Sequence, residues 1–289
     1  MKPFFASFTD FIKFDRKPNE DFYLISDVFP LFILADGVSQ AHFPSGGYAF
    51  PAGARAAAQI LCYTALEFLE NKLQAVKNNQ GVKEEEIKKL IGESFDLVNS
   101  RIKDLNKNEG ITDKLDYFVY DYFDTVGIVG FILQGVLYYG YVGDCGMAVF
   151  DKNNNLKFLT TNQVAPINNI IAPGQYPNWE EKTEAEKTKI LHKEFRNNIS
   201  GPGYGSFSGE EGVKHHYIIE SLRPELGDLI IFYSDGFFPY FQFPEFLEII
   251  RRKDNNALYE LSIQKAREDF QKFGTDRTLI AIDYNPITI

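Results

Sequence analysis

Short apolar runs open the chain, and long amphipathic stretches follow them. Residues Phe22–Ile25 and 29–35 are rich in aliphatic and aromatic side chains, which predicts two strands. From residue 53 to about 76 the sequence is alanine-rich, with large apolar residues at helical spacing. Residues 83–105 place apolar side chains on one stripe and charged ones opposite it. We therefore predict two strands followed by two long helices, the second lying at the surface.

The middle of the chain returns to strand patterns. Residues 125–133 and 136–142 are apolar runs separated by a Gln-Gly dipeptide, which predicts a hairpin. Residues 149–150 and 156–160 flank five Asp, Lys and Asn residues that are typical of another hairpin loop. Residues 161–213 are polar, irregular and rich in proline and glycine. A loop-rich insertion of that length inside a compact domain is usually functional or mobile.

The last third of the sequence adds strands at residues 215–219 and 228–233. A helical region of about thirty residues follows Pro244 and is expected to break near residues 254–256, before a last strand at 278–283. Because strands and helices do not alternate regularly, a doubly wound parallel sheet is disfavoured. Stacked antiparallel strands flanked by helices fit the order better, in one domain spanning residues 1–289.

Composition narrows the class of protein. The 289 residues are 44% hydrophobic and 24% charged, which excludes wholesale disorder, and the 15% aromatic content favours strands. Forty acidic residues against 30 Lys and Arg give a net charge of −10, so nucleic acid is an unfavourable partner. Carboxylates are the ligands that hard divalent cations require.

Cysteines and apolar windows indicate where the protein resides. Cys62 and Cys145 are too few for a disulfide framework, and we expect both to be reduced and buried. Asp10 and Lys13 interrupt any signal-peptide core. The most apolar long window, residues 126–143, holds five glycines and fits strands better than a membrane helix. We predict a cytoplasmic protein that does not enter a membrane.

Candidate chemistry lies where apolar runs end in a carboxylate. Asp36, Asp144 and Asp235 each follow a buried-type run, and Asp276 opens the last strand. Glu20 and Asp21 precede the first predicted strand. A carboxylate at the mouth of a buried strand has a fixed backbone, as a precise metal site needs.

These motifs also have plainer explanations. Asp-Gly is a common turn signal because glycine accepts positive φ, and Glu20-Asp21 by itself fits a solvated cap. The set as a whole is harder to explain that way, because converging carboxylates repel one another unless a cation lies among them. Oxygen ligands select Mg²⁺ or Mn²⁺.

Seven short motifs occur in a fixed order. They are Arg16-Lys17-Pro18-Asn19-Glu20-Asp21, Ala35-Asp36-Gly37, Gly53-Ala54-Arg55-Ala56-Ala57, Asp124-Thr125, Val142-Gly143-Asp144-Cys145, Ser234-Asp235-Gly236 and Thr275-Asp276-Arg277-Thr278. Each is weak alone, but the ordered set resembles the metal-dependent protein phosphatases of the type-2C (PPM) family in their compact bacterial form. The resemblance covers about residues 14–284.

The resemblance implies an α+β fold, a four-layer α-β-β-α sandwich of two stacked antiparallel sheets flanked by helix pairs. It implies hydrolysis of phosphoserine and phosphothreonine in a phosphorylated protein, a kinase or a kinase target, by direct attack of water between two Mg²⁺ or Mn²⁺ ions. Carried over to this sequence, the metal ligands would be Glu20, Asp21, Asp36, Gly37, Asp144, Asp235 and Asp276. Asp144 and Asp235 would contact a third, weaker metal. Arg16 would bind the substrate phosphate, because the planar guanidinium can donate to two phosphate oxygens. From the sequence alone, Arg16 could also be an ordinary surface arginine.

The sequence departs from the family pattern beside the metal motifs. Val38 stands where many members have a histidine general acid; His42 is the nearest substitute, although it also fits an exposed loop residue. Arg277 replaces an asparagine, and we expect either a second phosphate clamp or a salt bridge to a ligand. His215 and His216 are adjacent in a predicted strand and therefore point to opposite faces, which disfavours a shared metal.

We therefore predict a metal-dependent protein serine/threonine phosphatase whose flap, residues 161–213, shapes substrate choice. Two alternatives stay open. The loss of the histidine after Asp-Gly allows a non-catalytic regulatory or binding module on the same fold, and the motifs also fit a hydrolase of small phosphoesters.

Overall fold

The computed structural model describes residues 3–8, 18–40, 49–77, 82–111, 115–172 and 175–285. Within these ranges the strands form two antiparallel sheets of five strands each. The strands are β1 (Phe4–Phe8), β2 (Phe22–Ile25), β3 (Leu31–Gly37), β4 (Thr125–Leu133), β5 (Val136–Val142), β6 (Gly146–Phe150), β7 (Leu156–Leu159), β8 (Ile218–Leu222), β9 (Leu229–Tyr233) and β10 (Arg277–Asp283). One sheet has the order β1-β10-β9-β6-β7 and the other the order β2-β3-β4-β5-β8.

Helices cover the outer faces of the two sheets, and others form part of the flap. They are α1 (Gly53–Lys77), α2 (Glu84–Asn108), α3 (Ala165–Ile170), α4 (Glu184–Ile190), α5 (Pro244–Arg252), α6 (Asn255–Glu268) and α7 (Phe270–Phe273). A π-helical turn spans Leu191–Phe195, and 3₁₀ turns span Glu211–His216 and Asp235–Gln242. Within the described part of the chain, no helix is both long enough and apolar enough to cross a bilayer.

Strand β3 shows why the layers stack. Its residues are buried on both faces: Leu31 and Ile33 pack under α1 and α2, whereas Phe32 and Leu34 pack between the sheets. Successive side chains of a strand point to opposite faces, so one strand contributes to two cores. A third core fixes α5 and α6 on the outside of the other sheet. The predicted four-layer α+β sandwich is confirmed.

Local signals explain several element boundaries. Gln134 and Gly135 adopt φ of 51° and 77°, the conformation that a tight hairpin turn requires, so β4 and β5 pair as predicted. Lys253, with φ of 56°, ends α5 in a left-handed cap. The Asp254 side chain then accepts a hydrogen bond from the backbone N–H of Ala257 and starts α6, which confirms the predicted break.

The flap is more ordered than the sequence indicated. Residues 161–213 contain α3, α4 and the π turn, because a capping box at Thr183 and Glu186 starts α4 and a small apolar cluster forms around Ile167, Phe195 and Tyr204. The strand predicted to start at residue 215 begins instead at Ile218. His215 and His216 belong to the preceding 3₁₀ turn, so the argument from strand faces does not apply to them.

Candidate metal centre

Six acidic side chains from five separate segments converge at one end of the two sheets. We call this set the carboxylate cluster: Glu20, Asp21, Asp36, Asp144, Asp235 and Asp276. Hydrogen bonds and charge interactions link these residues across as many as 256 positions of sequence. All six were predicted as metal ligands, and the fold brings them together.

Asp36 stands at the end of β3, where that strand meets helix α1. The Thr125 side chain donates a hydrogen bond of 2.6 Å to the Asp36 carbonyl and fixes β3 against β4. The next residue, Gly37, approaches α1 so closely that a Cβ there would lie 2.6 Å from the backbone of Ala54. Only glycine fits at this position, so the Asp-Gly pair serves close packing and not a hairpin turn.

The loop before β2 carries Glu20 and Asp21 into the cluster. The Glu20 N–H donates to Asp276 Oδ2 at 2.9 Å, and the Gly37 N–H donates to the Glu20 carbonyl at 3.3 Å. The Ser39 hydroxyl donates to Glu20 Oε2. Both acidic residues are buried, at 5% and 2% exposure. This loop is thus tied to two other ligand-bearing segments through its backbone.

The other sheet supplies Asp235 and Asp276. Ser234 Oγ, at the end of β9, donates to Asp21 Oδ2 at 2.8 Å and accepts from the Thr278 N–H at 2.9 Å. A Cβ on Gly236 would lie 2.2 Å from the Asp276 carbonyl. The absence of a side chain at Gly236 therefore lets the two aspartate-bearing segments sit side by side.

The carboxylates crowd one another. Removal from water, followed by the charges of Asp21, Asp235 and Asp144, raises the pKa of Asp36 well above its ordinary value. The same desolvation raises the pKa of Asp21 and of Asp144 to about 7 in each case. Asp235 is nevertheless solvent-exposed and Asp36 only half-buried, so the cluster lines a cleft that is dense in protein atoms but open on one side.

The donor set fits a hard divalent cation. The Asp36 carboxyl interacts with those of Asp21 and Asp235, and Asp21 Oδ1 is buried without a hydrogen-bond partner among the described residues. Among the described residues, no three acidic, histidine or cysteine side chains are already set at the spacing of a metal-ligand group. The fit therefore rests on the chemistry of the donors: carboxylate oxygens, one of them orphaned, in a crowded cleft.

Both cysteines are buried and outside the ligand set, as predicted. Burial raises the pKa of the Cys145 and Cys62 thiols well above the usual value. A buried thiol of raised pKa supplies little thiolate, so neither cysteine is suited to nucleophilic attack.

Arg277 is buried and contacts helix α6. Its side chain is 1% exposed and donates to Ser262 Oγ on α6 at 2.8 Å and to the Thr275 carbonyl at 2.6 Å. Arg277 shares the helix-covered face of β10 with Leu279 and Ala281, which pack with α5 and α6. Among the described residues its guanidinium contacts Ser262 and Thr275, so it braces α6, and the two roles expected from the sequence stay predictions.

Two further predicted residues, Arg16 and His42, lie outside the described residues. Val38, in the position of the family histidine, packs against the core between the sheets. Its side chain carries no proton to donate, so any general acid must come from another residue.

A second buried polar group, which sequence reasoning missed, joins the flap to the start of β4. We call it the flap anchor: Asp121, Asp124, His192, Arg196, Ser206 and Glu210. Arg196 Nη1 lies 3.0 Å from Asp121 Oδ1 and 3.4 Å from Asp124 Oδ2, and its Nε donates to Glu210 Oε2 at 3.0 Å. His192 Nδ1 lies 2.5 Å from Asp121 Oδ2.

The flap anchor is linked to the carboxylate cluster by hydrogen bonds at the start of strand β4. The Val38 N–H donates to the Asp124 carbonyl at 3.1 Å, and the next residue, Thr125, holds the Asp36 carbonyl. No sequence signal pairs Arg196 with Asp121, because 75 residues separate them.

Solved structures share this fold. The Mycobacterium tuberculosis serine/threonine phosphatase PstP/Ppp superposes with a TM-score of 0.58 at 14% identity, covering 98% of each chain. Stp1 from Staphylococcus aureus gives a TM-score of 0.61 at 14% identity, covering 98% of this chain and 95% of that one. The PstP catalytic domain in complex with two manganese ions gives 0.55 at 15% identity, covering 97% and 96%.

At these identities the likeness concerns the fold. No protein-family model and no curated protein sequence matches the chain. The protein therefore has the fold of the bacterial serine/threonine phosphatases, as the motif order predicted.

Proposed function

We propose that this protein is a metal-dependent protein phosphatase of the type-2C kind that hydrolyses phosphoserine and phosphothreonine. The observation that carries the proposal is the gathering of Asp21, Asp144 and Asp235 around Asp36, with Asp276 beside Asp21 and Asp235 and the Glu20 N–H bonded to Asp276. Neighbouring carboxylates are among the main causes that raise the pKa of Asp21, Asp36 and Asp144. Among the described residues, no Lys or Arg is a main cause that lowers the pKa of any of the three. A pair of divalent cations would supply the missing positive charge.

The ligand roles are carried over from the resemblance to the type-2C phosphatases. Asp36, which interacts with both Asp21 and Asp235, would hold both ions, with the Gly37 carbonyl beside it. Asp235 and Asp276 would complete one ion, and Glu20 the other. Asp21, held by Ser234, would orient these ligands, and Asp144, coupled to Asp235, would contact a third, weaker ion.

Two Mg²⁺ or Mn²⁺ ions, when bound, would lower the pKa of water and offset the charge of the phosphate. The protein's own part is to hold the ligands. The Ser39 hydroxyl fixes Glu20, the Ser234 hydroxyl fixes Asp21, and Thr125 fixes the backbone of Asp36. Since both thiols are buried with raised pKa, neither is suited to form a covalent phosphocysteine, and in the proposed reaction water would attack phosphorus directly. Arg16 stays the proposed phosphate ligand.

The test is turnover of a phosphothreonine peptide by the full chain with Mn²⁺. We expect release of phosphate that EDTA abolishes and that Asp36→Asn lowers at least about 100-fold, because even ligand-orienting residues of metal sites contribute 10–100-fold. Asp104→Asn, an exposed aspartate on α2, is the matched control and should keep wild-type turnover.

One observation favours a second function, a non-catalytic module that binds phosphorylated partners. Val38 packs into the inter-sheet core where a proton donor would be needed. Wild-type protein that binds two Mn²⁺ ions and a phosphopeptide without hydrolysing it would support this function over catalysis. Hydrolysis of nucleotides in preference to phosphopeptides would instead indicate a small-molecule phosphoesterase.

A further inference from the structure

Arg55, in the first turn of α1, contacts the loop that carries Glu20 and Asp21. Its Nη1 donates to the carbonyl of Asn19 at 2.5 Å and to the carbonyl of Asp21 at 3.0 Å. An Nη1 group has two N–H bonds, so one nitrogen holds both carbonyls. The guanidinium also lies 5.4 Å from the ring centroid of Phe22, the first residue of β2.

These contacts complete a set of three consecutive carbonyls. Asn19 and Asp21 bond to Arg55, and the carbonyl of Glu20, between them, accepts the N–H of Gly37. The backbone on both sides of Glu20 is therefore fixed from helix α1, and its middle is fixed from β3. The direction in which the Glu20 and Asp21 carboxylates leave the loop depends on that backbone.

We infer that Arg55 is a positioning residue for the metal centre: it clamps the peptide groups around Glu20 so that Glu20 and Asp21 face Asp36. This inference rests on the proposed function, because it assigns Arg55 to the same ions. The two N–H bonds of Nη1 are held at fixed directions in the guanidinium plane and meet both carbonyls, whereas lysine presents a freely rotating ammonium group on a flexible stem.

The experiment measures Mn²⁺ binding without substrate, by calorimetry, together with the electron paramagnetic resonance signal of the bound ions. The variants are Arg55→Met, which removes the clamp, and Arg55→Lys, which keeps the charge. Arg101→Met is the matched control: Arg101 lies on α2, where its guanidinium contacts Thr64 and Glu67.

For Arg55→Met we expect Mn²⁺ affinity to fall about 10–100-fold, the range typical of residues that orient metal ligands. The spin coupling between two neighbouring Mn²⁺ ions should weaken as well, a change that a general loss of stability would not cause. Arg55→Lys should fall between wild type and Arg55→Met, and it carries the test if the methionine variant does not fold. Arg101→Met should bind as wild type does.

Three results would overturn the inference. If Arg55→Met binds two Mn²⁺ ions with wild-type affinity and coupling, Arg55 does not position the ligands. If its affinity is unchanged but KM for the phosphopeptide rises, Arg55 contacts substrate instead. If wild-type protein binds no Mn²⁺, the metal centre of the proposed function fails first, a result distinct from the other two.

Discussion

The carboxylate cluster and the flap anchor both gather aspartates within the same fold, yet they treat the negative charge in opposite ways. In the flap anchor, burial alone would raise the pKa of Asp121, but Arg196 and then His192 hold it below its usual range. In the carboxylate cluster, burial and neighbouring carboxylates act in the same direction and raise the pKa of Asp36. The flap anchor contains its own cation, whereas among the described residues no Lys or Arg is a main influence on the pKa of Asp36.

The comparison shows how a structural acidic group differs from a candidate metal site. Asp124, in the flap anchor, is an intermediate case: burial raises its pKa to about 6 despite Arg196, and its Oδ1 has no hydrogen-bond partner. Even so, Arg196 and Ser206 contact its other oxygen. A crowd of carboxylates therefore indicates a metal centre only where the protein does not supply the positive charge itself.

The largest expected effect follows from removing the cation of the flap anchor. Arg196→Met should lower the free energy of unfolding by about 3–5 kcal/mol, because it leaves Asp121 and Asp124 buried without their partner. Urea unfolding at pH 7 measures this change. Arg101→Met, at a partly exposed arginine, should stay within about 0.5 kcal/mol of wild type. A loss for Arg196→Met as small as that of the control would contradict the comparison.

Removing a charge from the carboxylate cluster should change the free energy of unfolding in the opposite direction. In EDTA at pH 8, Asp36→Asn should raise the free energy of unfolding, since a carboxyl whose pKa is raised by burial and by neighbouring carboxylates costs free energy when it ionises. The asparagine amide can still donate toward Asp21 and Asp235. Thermal unfolding with and without Mn²⁺ gives the second measurement: wild type should be stabilised by about 2.7 kcal/mol at 100 times its dissociation constant, and the variant by much less.

Asp104→Asn is the control for this experiment, because it removes the same charge from an exposed position. It should change neither the metal-free stability nor the stabilisation by Mn²⁺. If Asp36→Asn destabilises the metal-free protein, the carboxylates do not repel one another, and the argument for a cation among them is lost.

The sequence predicted those parts of the molecule whose signals are local. Helix α1 was expected at residues 53–76 and runs Gly53–Lys77, because its apolar spacing is unbroken. The hairpin of β4 and β5 depended only on the turn at Gln134-Gly135. The cluster carboxylates were found because each lies at the end of an apolar run or in a recognisable motif, which fixes its place at one edge of the sheets.

The parts that were missed depend on long-range contacts or on which face a residue occupies. Arg277 was assigned to the site, but β10 is buried on both faces, so its apolar pattern does not tell which side the arginine takes. Arg196 and Asp121 meet only after the flap folds back onto β4. Arg55 was visible as part of a helix start, yet its two carbonyl partners could not be inferred from residue types, because backbone acceptors leave no mark in a sequence.

The smallest expected effect is a difference in pH dependence. Arg196 and His192 hold the pKa of Asp121 below its unfolded value of about 3.9, so folding is favoured by this group above that pH. The contribution is lost as pH falls from about 4 toward the folded pKa, because the unfolded chain then binds the proton first.

Asp121→Asn has no carboxyl group to bind that proton. The wild-type free energy of unfolding should therefore fall more steeply with acid than that of the variant, by at most about 1.4 kcal/mol per pH unit. Urea unfolding between pH 5 and 3 measures both slopes. Equal slopes would mean that Arg196 does not neutralise Asp121, and the contrast between the two acidic groups would then rest on geometry alone.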